Sequence, residues 1–279
     1  MKFKKILAAV LAASLSMTIM AGCGKSYNTV EDIQKAGVLV MDTNAEFPPF
    51  EYVSGNEPVG VDIDIAQAIA DKLGVELKVE NVKFDAALTA VSTGKADLAI
   101  AGITVTEERQ KSMDFSDPYT TSVQYIIVPE DSDVAVLEDL AGKKIGVQTG
   151  TTGDLICSDQ VNGYKDDDGN EVTGCLQDTG ASVVQYNSAL EAATDMKNGK
   201  VDAVVIDKLP AENIAKVNEG FKCFELTYND GETTDEQYAV AMAKGNTELV
   251  ELVNEVLKEM QEDGSLEESI LNHTGAAAK

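Results

Sequence analysis

Residues that usually carry catalysis, metal binding or contact with nucleic acid are scarce in this chain. It has one histidine, no tryptophan and 22 basic residues against 48 acidic ones, for a formal net charge of −26. So acidic a chain offers no basic groove for nucleic acid. The single histidine, His273, lies near the C-terminus, and the sequence has no CxxC pair, so no zinc site is predicted. The lack of histidine also leaves few candidates for a general acid or base.

The longest apolar run lies at the N-terminus. Three lysines within the first five residues precede an apolar stretch at 6–20, a pattern typical of a secretory signal. Ala21-Gly22-Cys23 then resembles a bacterial lipobox, with Met20 where leucine is more common. The resemblance implies cleavage before Cys23 and lipidation of its thiol. The alternative is an ordinary secretory signal in which Cys23 is incidental.

We therefore predict a lipoprotein signal peptide at 1–22 and a lipid-anchored tether at 23–33. The leader takes three lysines and no acid with it, so the mature charge is −29. No later stretch approaches the roughly 18 apolar residues of a membrane span. The mature protein is expected outside the cytoplasm, held at the outer face of the cytoplasmic membrane by its acyl chains.

Three cysteines follow Cys23, at Cys157, Cys175 and Cys223. Any one disulfide among them leaves one thiol over. We favour Cys157–Cys175, because these two flank a polar, turn-rich insertion at 159–174. Such a bridge would stabilise the fold by roughly 3 kcal/mol in the loop-entropy model. The alternative is three reduced thiols.

Short β-branched runs alternate with helical patterns along the mature chain, which is typical of α/β architecture. Residues 38–41 and 75–79 are predicted strands. Residues 61–73 carry apolar side chains at helical spacing, and residues 86–92 form a shorter helix. The 257 residues that remain after the leader suit two lobes better than one core.

One pattern occurs twice in the chain. The pattern spans residues 93–101 and 198–206. In each segment the end of a predicted helix is followed by Gly-Lys, then by an aspartate and then by an apolar strand of four residues. Residues 38–41 and 145–147 are also alike, since each is followed by a polar loop that contains threonine. This self-similarity predicts two lobes of like topology that face each other.

Four polar loops follow predicted strands, at residues 42–47, 102–104, 148–153 and 206–207. Ligands of open α/β sheets bind beyond the carboxyl ends of the strands. Two of the four loops come from each predicted lobe, as a cleft between lobes requires. The sequence therefore predicts a ligand cleft lined by these loops.

Arg109 is the only arginine in the chain. Its planar fork of N–H donors matches a carboxylate or phosphate in a way that a lysine ammonium does not. Thr106 is the predicted N-cap of a helix whose first turn contains Arg109, where the helix dipole disfavours a cation. An anion between the arginine and the helix end would resolve that conflict. The alternative is a chance surface arginine in a lysine-rich chain.

Other side chains at the cleft allow two interpretations each. The small residues of 149–153 let backbone N–H groups approach an anion, but they lack the Gly-Lys-Ser/Thr ending of a nucleotide P-loop. Asp207 either binds a cation such as an ammonium group or caps the helix that follows it. Phe47 and Phe84 are either walls of a pocket or parts of the core. For the loop with Thr104 and Thr106 and for the loop at 149–153, the alternative is that the threonines only form turns and helix caps.

An ordered set of motifs resembles the family-3 extracellular solute-binding proteins of ABC importers for polar amino acids. The matching segments are Phe47-Pro48-Pro49-Phe50-Glu51-Tyr52, the stretch from Ala101 to Arg109, Asp114-Phe115-Ser116-Asp117-Pro118-Tyr119, Gly150-Thr151-Thr152-Gly153 and the stretch from Val201 to Asp207. Each motif is modest, but their order and spacing are specific across residues 38–271.

The resemblance implies an α/β, two-lobe periplasmic-binding-protein fold of type II, with two crossovers and a ligand cleft between the lobes. Lobe 1 would hold 34–122 and 238–279, and lobe 2 would hold 123–237. Such a protein captures its ligand by hinge closure and is not an enzyme. Its implied partners are an amino acid and the membrane permease of the importer, with no cofactor and no metal, and it would act as a monomer.

The resemblance also implies roles for residues of the cleft. Arg109 would clamp the α-carboxylate of the ligand, and Asp207 would hold the α-ammonium group. The full set of predicted ligand-binding residues is Asn44, Phe47, Phe84, Ala101, Gly102, Thr104, Arg109, Gln148, Thr151, Thr152 and Asp207.

The four loops offer no charge for the side chain of the ligand. Asn44 stands where many relatives that bind basic amino acids carry aspartate, Gln148 is neutral and Ile206 is apolar. No lysine lies in these loops to pair with an acidic ligand. We therefore expect a ligand with a neutral side chain.

Two other functions would use the same scaffold. A dehydratase-like enzyme would need a general acid or base in the cleft, where Glu46 is the only carboxylate expected besides Asp207. A ligand-sensing protein would need a separate signalling partner, because no membrane helix or kinase segment follows the second lobe. Capture for transport is the function we expect.

Overall fold

Two five-stranded sheets form the framework of the computed structural model, which describes residues 27–166 and 168–277. The strands are β1 (Val38–Thr43), β2 (Glu46–Phe47), β3 (Glu51–Ser54), β4 (Glu57–Val59), β5 (Glu76–Asn81), β6 (Leu98–Ala99), β7 (Met113–Phe115), β8 (Thr120–Ser122), β9 (Gln124–Pro129), β10 (Lys144–Gln148), β11 (Tyr164–Lys165), β12 (Glu171–Val172), β13 (Ser182–Tyr186), β14 (Ala203–Asp207), β15 (Phe221–Glu225), β16 (Glu236–Tyr238) and β17 (Ala241–Ala243). The α-helices are α1 (Val30–Ala36), α2 (Val61–Leu73), α3 (Phe84–Ser92), α4 (Glu107–Ser112), α5 (Thr152–Asn162), α6 (Ala189–Lys197), α7 (Lys208–Val217), α8 (Thr247–Glu262) and α9 (Ser265–Ala277). A 3₁₀ helix spans Leu137–Leu140.

The first sheet has the strand order β5-β1-β6-β17-β7. Strand β1 runs parallel to β5 and β6, whereas β17 is antiparallel to β6 and β7. Leu98 and Ile100 belong to the hydrophobic cluster that includes α2 and α8, and Ala99 and Ala101 belong to the cluster that includes α3. Because successive side chains of an extended segment point to opposite faces, helices cover this sheet on both sides.

Helix α2 has the bounds that the sequence predicted. Ile65, Ala66, Ile69 and Leu73 follow helical spacing, and all four are buried. Gly74 ends the helix with a φ of 72°, a left-handed conformation that suits glycine. The apolar face of α2 packs against α8 and α9, so the C-terminal helices form part of the first lobe.

The second sheet has the strand order β13-β10-β14-β9-β15. Strand β10 runs parallel to β13 and β14, as β1 does to β5 and β6. The two aspartates of the recurring sequence pattern occupy equivalent positions, since Asp97 accepts the N–H of Val40 at 2.9 Å and Asp202 accepts that of Lys144 at 2.7 Å. The predicted likeness of the two lobes is therefore present in strand pairing and in a matched hydrogen bond.

A short antiparallel ribbon joins the two sheets. It pairs β8 with β16, and the chain passes from the first sheet to the second after β8 and returns after β16. Glu236 lies opposite Ser122 and Tyr238 lies opposite Thr120. A ribbon that carries both crossovers is the natural hinge of a two-lobe protein.

The predicted disulfide is not formed in the structure. Cys157, Cys175 and Cys223 are all free thiols. Cys157 is buried within α5, whereas Cys175 is exposed. Flanking the same insertion therefore did not make these two cysteines a bonded pair. Burial is the main cause that raises the pKa of each of the three thiols, so the thiol form is favoured.

The insertion that follows α5 ends in a small hairpin, in which β11 pairs with β12. Near its tip the carboxylate of Asp166 accepts the backbone N–H of Asn170 at 2.8 Å. Within 27–166 and 168–277, no group of three His, Cys, Asp or Glu side chains is arranged to hold a metal ion.

No helix in the described part of the chain is both long and apolar enough to cross a bilayer. The predicted signal peptide and the predicted lipid attachment at Cys23 lie outside the described residues.

Candidate functional site

A nearly closed pocket, with a cavity volume of only about 10 Å³, lies between the two sheets at the carboxyl ends of their parallel strands. Its lining residues are Asn44, Phe47, Glu51, Phe84, Ala101, Gly102, Thr104, Arg109, Gln148, Thr151, Thr152 and Asp207. All the predicted ligand-binding residues are in this set, and Glu51 is the one that the sequence reasoning missed. Their roles toward a ligand remain predictions.

Arg109 lies in the first turn of α4, as predicted. Thr106 caps the helix, and its hydroxyl accepts the N–H of Arg109 at 3.2 Å. The guanidinium is almost buried, and it donates from Nη1 to the carbonyl of Thr104 at 2.7 Å and from Nη2 to the carbonyl of Gly150 at 3.0 Å. These bonds fix the plane of a group that has five N–H donors, so donors remain for an anion in the cavity.

The guanidinium also lies over an aromatic ring, with its carbon 5.5 Å from the centroid of Phe84. Burial lowers the pKa of Arg109 from its ordinary value, while the charges of Glu236 and Asp207 act in the opposite direction. An arginine keeps its charge under such conditions. The cavity therefore presents a fixed cation at the α4 end.

Direct hydrogen bonds between the two lobes show that the cleft is closed. Thr152 donates its hydroxyl to that of Thr104 at 3.1 Å, and the amide of Gln148 donates to Asn44 at 3.0 Å. The bond from Arg109 to Gly150 is a third such contact. Residues that the sequence assigned to separate loops thus touch across the cleft.

Gly102 in the cavity lining and Gly153 near it stand where a side chain would meet its neighbours. A Cβ on Gly102, which has a φ of 53°, would lie 2.7 Å from the ring of Phe47. A Cβ on Gly153 would lie 2.7 Å from the amide oxygen of Gln124. The first glycine lets the backbone approach the ring of Phe47, and the second allows α5 to begin against the second sheet.

Thr151 is the N-cap of α5. Its hydroxyl accepts the N–H of Asp154 at 3.3 Å and donates to the carbonyl of Gln148 at 2.8 Å. Asp154 in turn accepts the N–H of Gly150 at 2.9 Å. The loop is therefore held rigidly at a helix N-terminus that faces the cavity, an arrangement that suits an anion.

Asp207 lies at the end of β14 and is almost buried. Its side chain makes no capping hydrogen bond to α7, so the capping interpretation is not supported. Instead, the carboxylate accepts the hydroxyl of Tyr238 and is hydrogen-bonded to Glu236. An acidic side chain held in this way lines the cavity at the end of β14.

Glu51 brings a second carboxyl group to the cavity. It is 1% exposed, and its Oε2 has no hydrogen-bond partner in the structure. Its neighbour Asp62 accepts the N–H of Gly102 and the hydroxyl of Tyr119, both at 2.9 Å. Burial first, and then the charge of Asp62, hold the pKa of Glu51 well above its ordinary value.

Glu51 could have been predicted as a cavity residue from the tight hairpin that β2 and β3 form. Phe47, a predicted pocket wall, lies directly opposite Glu51 where β2 pairs with β3. Glu46, the carboxylate that the sequence reasoning placed in the cleft, is exposed and is not part of the cavity lining. Phe47 and Phe84 line the cavity and also belong to hydrophobic clusters, so both interpretations of these rings apply.

Comparison with known proteins gives a consistent picture. The family described as bacterial extracellular solute-binding proteins, family 3, matches residues 39–275. The arginine-binding extracellular protein ArtP of Bacillus subtilis (strain 168) is 33% identical over 264 residues, which are 95% of each chain. A probable histidine-binding protein of Neisseria gonorrhoeae is 30% identical over 95% of this chain and 93% of its own.

A solved structure shows the same likeness. It is that of AbpA, an amino acid ABC transporter substrate-binding protein from Streptococcus pneumoniae Canada MDR_19A, bound to L-arginine. The TM-score is 0.77 at 36% identity, over 89% of this chain and 99% of that one.

Proposed function

The chain belongs to the bacterial extracellular solute-binding proteins of family 3, and we propose that it captures a cationic amino acid, arginine first among them, and delivers it to the permease of an ABC importer. The relatives compared above are named for arginine and histidine, and the AbpA structure holds arginine. The single observation that carries the choice of a cation is the unpaired carboxyl oxygen of Glu51 in the cavity.

The backbone end of the ligand is assigned to Arg109 and Asp207. The fork of Arg109 would receive the α-carboxylate, together with the N-terminus of α5 at Thr151 and Thr152. Asp207 would receive the α-ammonium group. Arg109 belongs to the first lobe and Asp207 to the second, so a zwitterion between them favours the closed form over the open one.

The side-chain end is assigned to Glu51 and the two phenylalanines. A guanidinium is planar, and it stacks on aromatic faces while it donates two parallel hydrogen bonds to a carboxylate. Phe47 and Phe84 supply the rings, and Glu51 supplies the carboxylate. Asn44 and Gln148 add neutral hydrogen-bonding groups between them.

The expected neutral side chain is not supported. That expectation rested on the absence of charge in the four strand-end loops, but the cavity also receives Glu51 from β3, outside those loops. A buried carboxyl group with an unpaired acceptor oxygen favours a ligand that can donate a hydrogen bond to that oxygen.

Arginine should stabilise the ligand-stripped protein more than citrulline, which has the same shape but no side-chain charge. At a concentration about 1,000 times its Kd a ligand adds about 4 kcal/mol to the free energy of unfolding, which raises the Tm by roughly 10 °C in a chain of this size. The measurement is a thermal-shift screen of protein refolded from denaturant, from Ser26 onward, against arginine, lysine, histidine, citrulline, glutamine and aspartate.

The screen distinguishes an error about the charge of the ligand from an error about the capture of amino acids. Stabilisation by citrulline equal to that by arginine would contradict the proposed cation. No stabilisation by any amino acid would contradict amino acid capture itself.

We also propose that the protein is a monomer, held at the outer face of the cytoplasmic membrane through lipid on Cys23, with lobe 1 at 34–122 and 238–279 and lobe 2 at 123–237. One ligand site between two lobes of a single chain needs no second copy. When the full chain is expressed in a bacterium, the wild-type protein should partition with membranes, and the Cys23→Ala protein should not.

Mass spectrometry of the N-terminal peptide should identify acyl chains on Cys23 in the wild-type protein. Unmodified Cys23 in protein that has been cleaved elsewhere would contradict the proposed anchor.

A further inference from the structure

Glu236 occupies a central position in the hinge ribbon. It begins β16, opposite Ser122 of β8, and it is 4% exposed. Because both crossovers between the lobes run through this ribbon, a buried side chain here meets groups from both lobes. Glu236 does not line the cavity, so it acts on a ligand only through its neighbours.

Hydrogen bonds reach the Glu236 carboxyl from each side of the cleft. Thr104 of the first lobe donates to Oε2 at 2.9 Å, and the amide of Gln124 in the second sheet donates to Oε1 at 3.0 Å. The carboxyl group is also hydrogen-bonded to that of Asp207. Opening the lobes would pull these partners apart.

Two carboxyl groups at hydrogen-bonding distance share one proton more easily than they carry two charges. Burial, followed by the charge of Asp207, raises the pKa of Glu236 to about 9. At neutral pH Glu236 is therefore the protonated partner, and its O–H donates to Asp207. The charge of Glu236 also acts on Arg109 and Tyr238, and the phenol of Tyr238 donates to Asp207 as well. Lys208 and Asp235 line the surface pocket that Glu236 borders.

We propose that Glu236 is a positioning residue of the closed cleft. Its carboxyl group keeps a proton and donates a hydrogen bond to Asp207, so closure of the lobes depends on the uptake of that proton. The inference rests on the proposed function in one respect, since Asp207 is taken to meet the ammonium group of the ligand. Two donors, from Tyr238 and Glu236, orient the Asp207 carboxylate. Without the proton on Glu236, the same pocket would hold two adjacent negative charges.

The sign of the pH dependence follows from the direction of the shift. An exposed glutamate has a pKa of about 4.3, and the closed cleft raises that of Glu236 to about 9. Closure is therefore favoured at low pH and weakened as the pH rises between these two values. Above the upper value no further loss arises from this group.

The test compares wild-type protein with Glu236→Gln, whose amide still donates to Asp207 but does not titrate. The dissociation constant for L-arginine is measured from pH 5.5 to 9 for both proteins. The ratio of the wild-type to the variant value should rise by about tenfold or more over this range, because one proton changes binding by up to tenfold per pH unit. The ligand's own ammonium group and Glu51 titrate in both proteins and cancel in the ratio.

Asp235→Asn is the matched control. Asp235 is the exposed neighbour of Glu236, and the variant makes the same replacement of a carboxyl group by an amide one residue away. Its ratio to wild type should stay flat. A flat ratio for Glu236→Gln would overturn the proposal, and so would parallel slopes for the two variants.

The degree of closure without ligand separates this proposal from the proposed function. Since the raised pKa of Glu236 belongs to the closed form, the closed fraction of ligand-free wild-type protein should fall relative to that of Glu236→Gln as the pH rises from 5 to 9. Small-angle X-ray scattering follows this change as a larger radius of gyration. Failure of every amino acid to bind would contradict the proposed function, and parallel scattering profiles of the two proteins would overturn the role of Glu236.

Discussion

Arg109→Ala should raise the Kd for arginine by about 100-fold or more while the protein stays folded. Truncating one partner of a buried, hydrogen-bonded charge pair typically costs about 2–5 kcal/mol, and each 1.4 kcal/mol is a factor of about ten. The loss has two parts here. The α-carboxylate of the ligand loses its cation, and the closed form loses the bond from Arg109 to the carbonyl of Gly150. The measurement is isothermal titration calorimetry at neutral pH, with circular dichroism to verify the fold.

Two further variants make the result specific to the guanidinium fork. Arg109→Lys keeps the charge but not the planar pair of donors, so its affinity should lie between those of wild type and Arg109→Ala. Lys111→Ala removes an exposed cation from the same helix and should bind arginine as wild type does. Wild-type affinity in Arg109→Ala would contradict the carboxylate role, and equal affinity in Arg109→Lys would contradict the need for a fork.

The sequence predicted best those features of the site that depend on residues close to one another in the chain. A strand followed by a polar loop predicts a position at the edge of a sheet, and four such loops place eight residues at one cavity. Arg109 was recognisable because a lone arginine in the first turn of a helix conflicts with the helix dipole. The repeated Gly-Lys and aspartate pattern predicted two like lobes, and Asp97 and Asp202 make matching hydrogen bonds.

Glu51 and Glu236 could not be found by the same reasoning. Glu51 reaches the cavity from β3, and only the pairing of β2 with β3 sets it opposite Phe47. Glu236 meets Thr104 and Asp207 because the chain crosses twice between the lobes, and no local pattern encodes that meeting. Buried carboxyl groups are also chemically ambiguous in a sequence that contains 48 acidic residues.

The cysteines show a different limit of sequence reasoning. Cys157 and Cys175 flank one insertion, which suggested that they pair. The side chain of Cys157 points into the core of the second lobe with α5, whereas Cys175 lies at the surface. Two cysteines that flank one insertion are therefore not for that reason alone a bonded pair.

Glu51→Gln should convert the selectivity of the site. A hydrogen bond to a charged group contributes about 1.5–3 kcal/mol, so the Kd for arginine should rise by roughly 10- to 100-fold. The affinity for citrulline should change much less, because citrulline brings no charge to Glu51. The ratio of the two dissociation constants measures the contribution of the carboxylate and cancels losses that come from a small change in the fold.

The same substitution should remove a proton from the binding reaction. Burial and Asp62 hold the pKa of Glu51 well above its ordinary value, so Glu51 is protonated before the ligand enters. A guanidinium beside it favours the carboxylate and lowers that pKa, so a proton leaves when arginine binds. In the Glu236→Gln background, where Glu236 no longer titrates, arginine affinity should therefore increase with pH through the neutral range. Calorimetry of that variant in two buffers of different ionisation enthalpy detects the proton released from Glu51.

Glu46→Gln is the control for both measurements. Glu46 lies in β2 beside the same hairpin, but its side chain is exposed and outside the cavity. That variant should keep the wild-type preference for arginine over citrulline and the wild-type proton release. If Glu51→Gln also kept both, Glu51 would be a structural partner of Asp62, and the choice of a cationic ligand would lose its support. Loss of both in Glu51→Gln alone would assign the side-chain end of the cavity to this carboxylate.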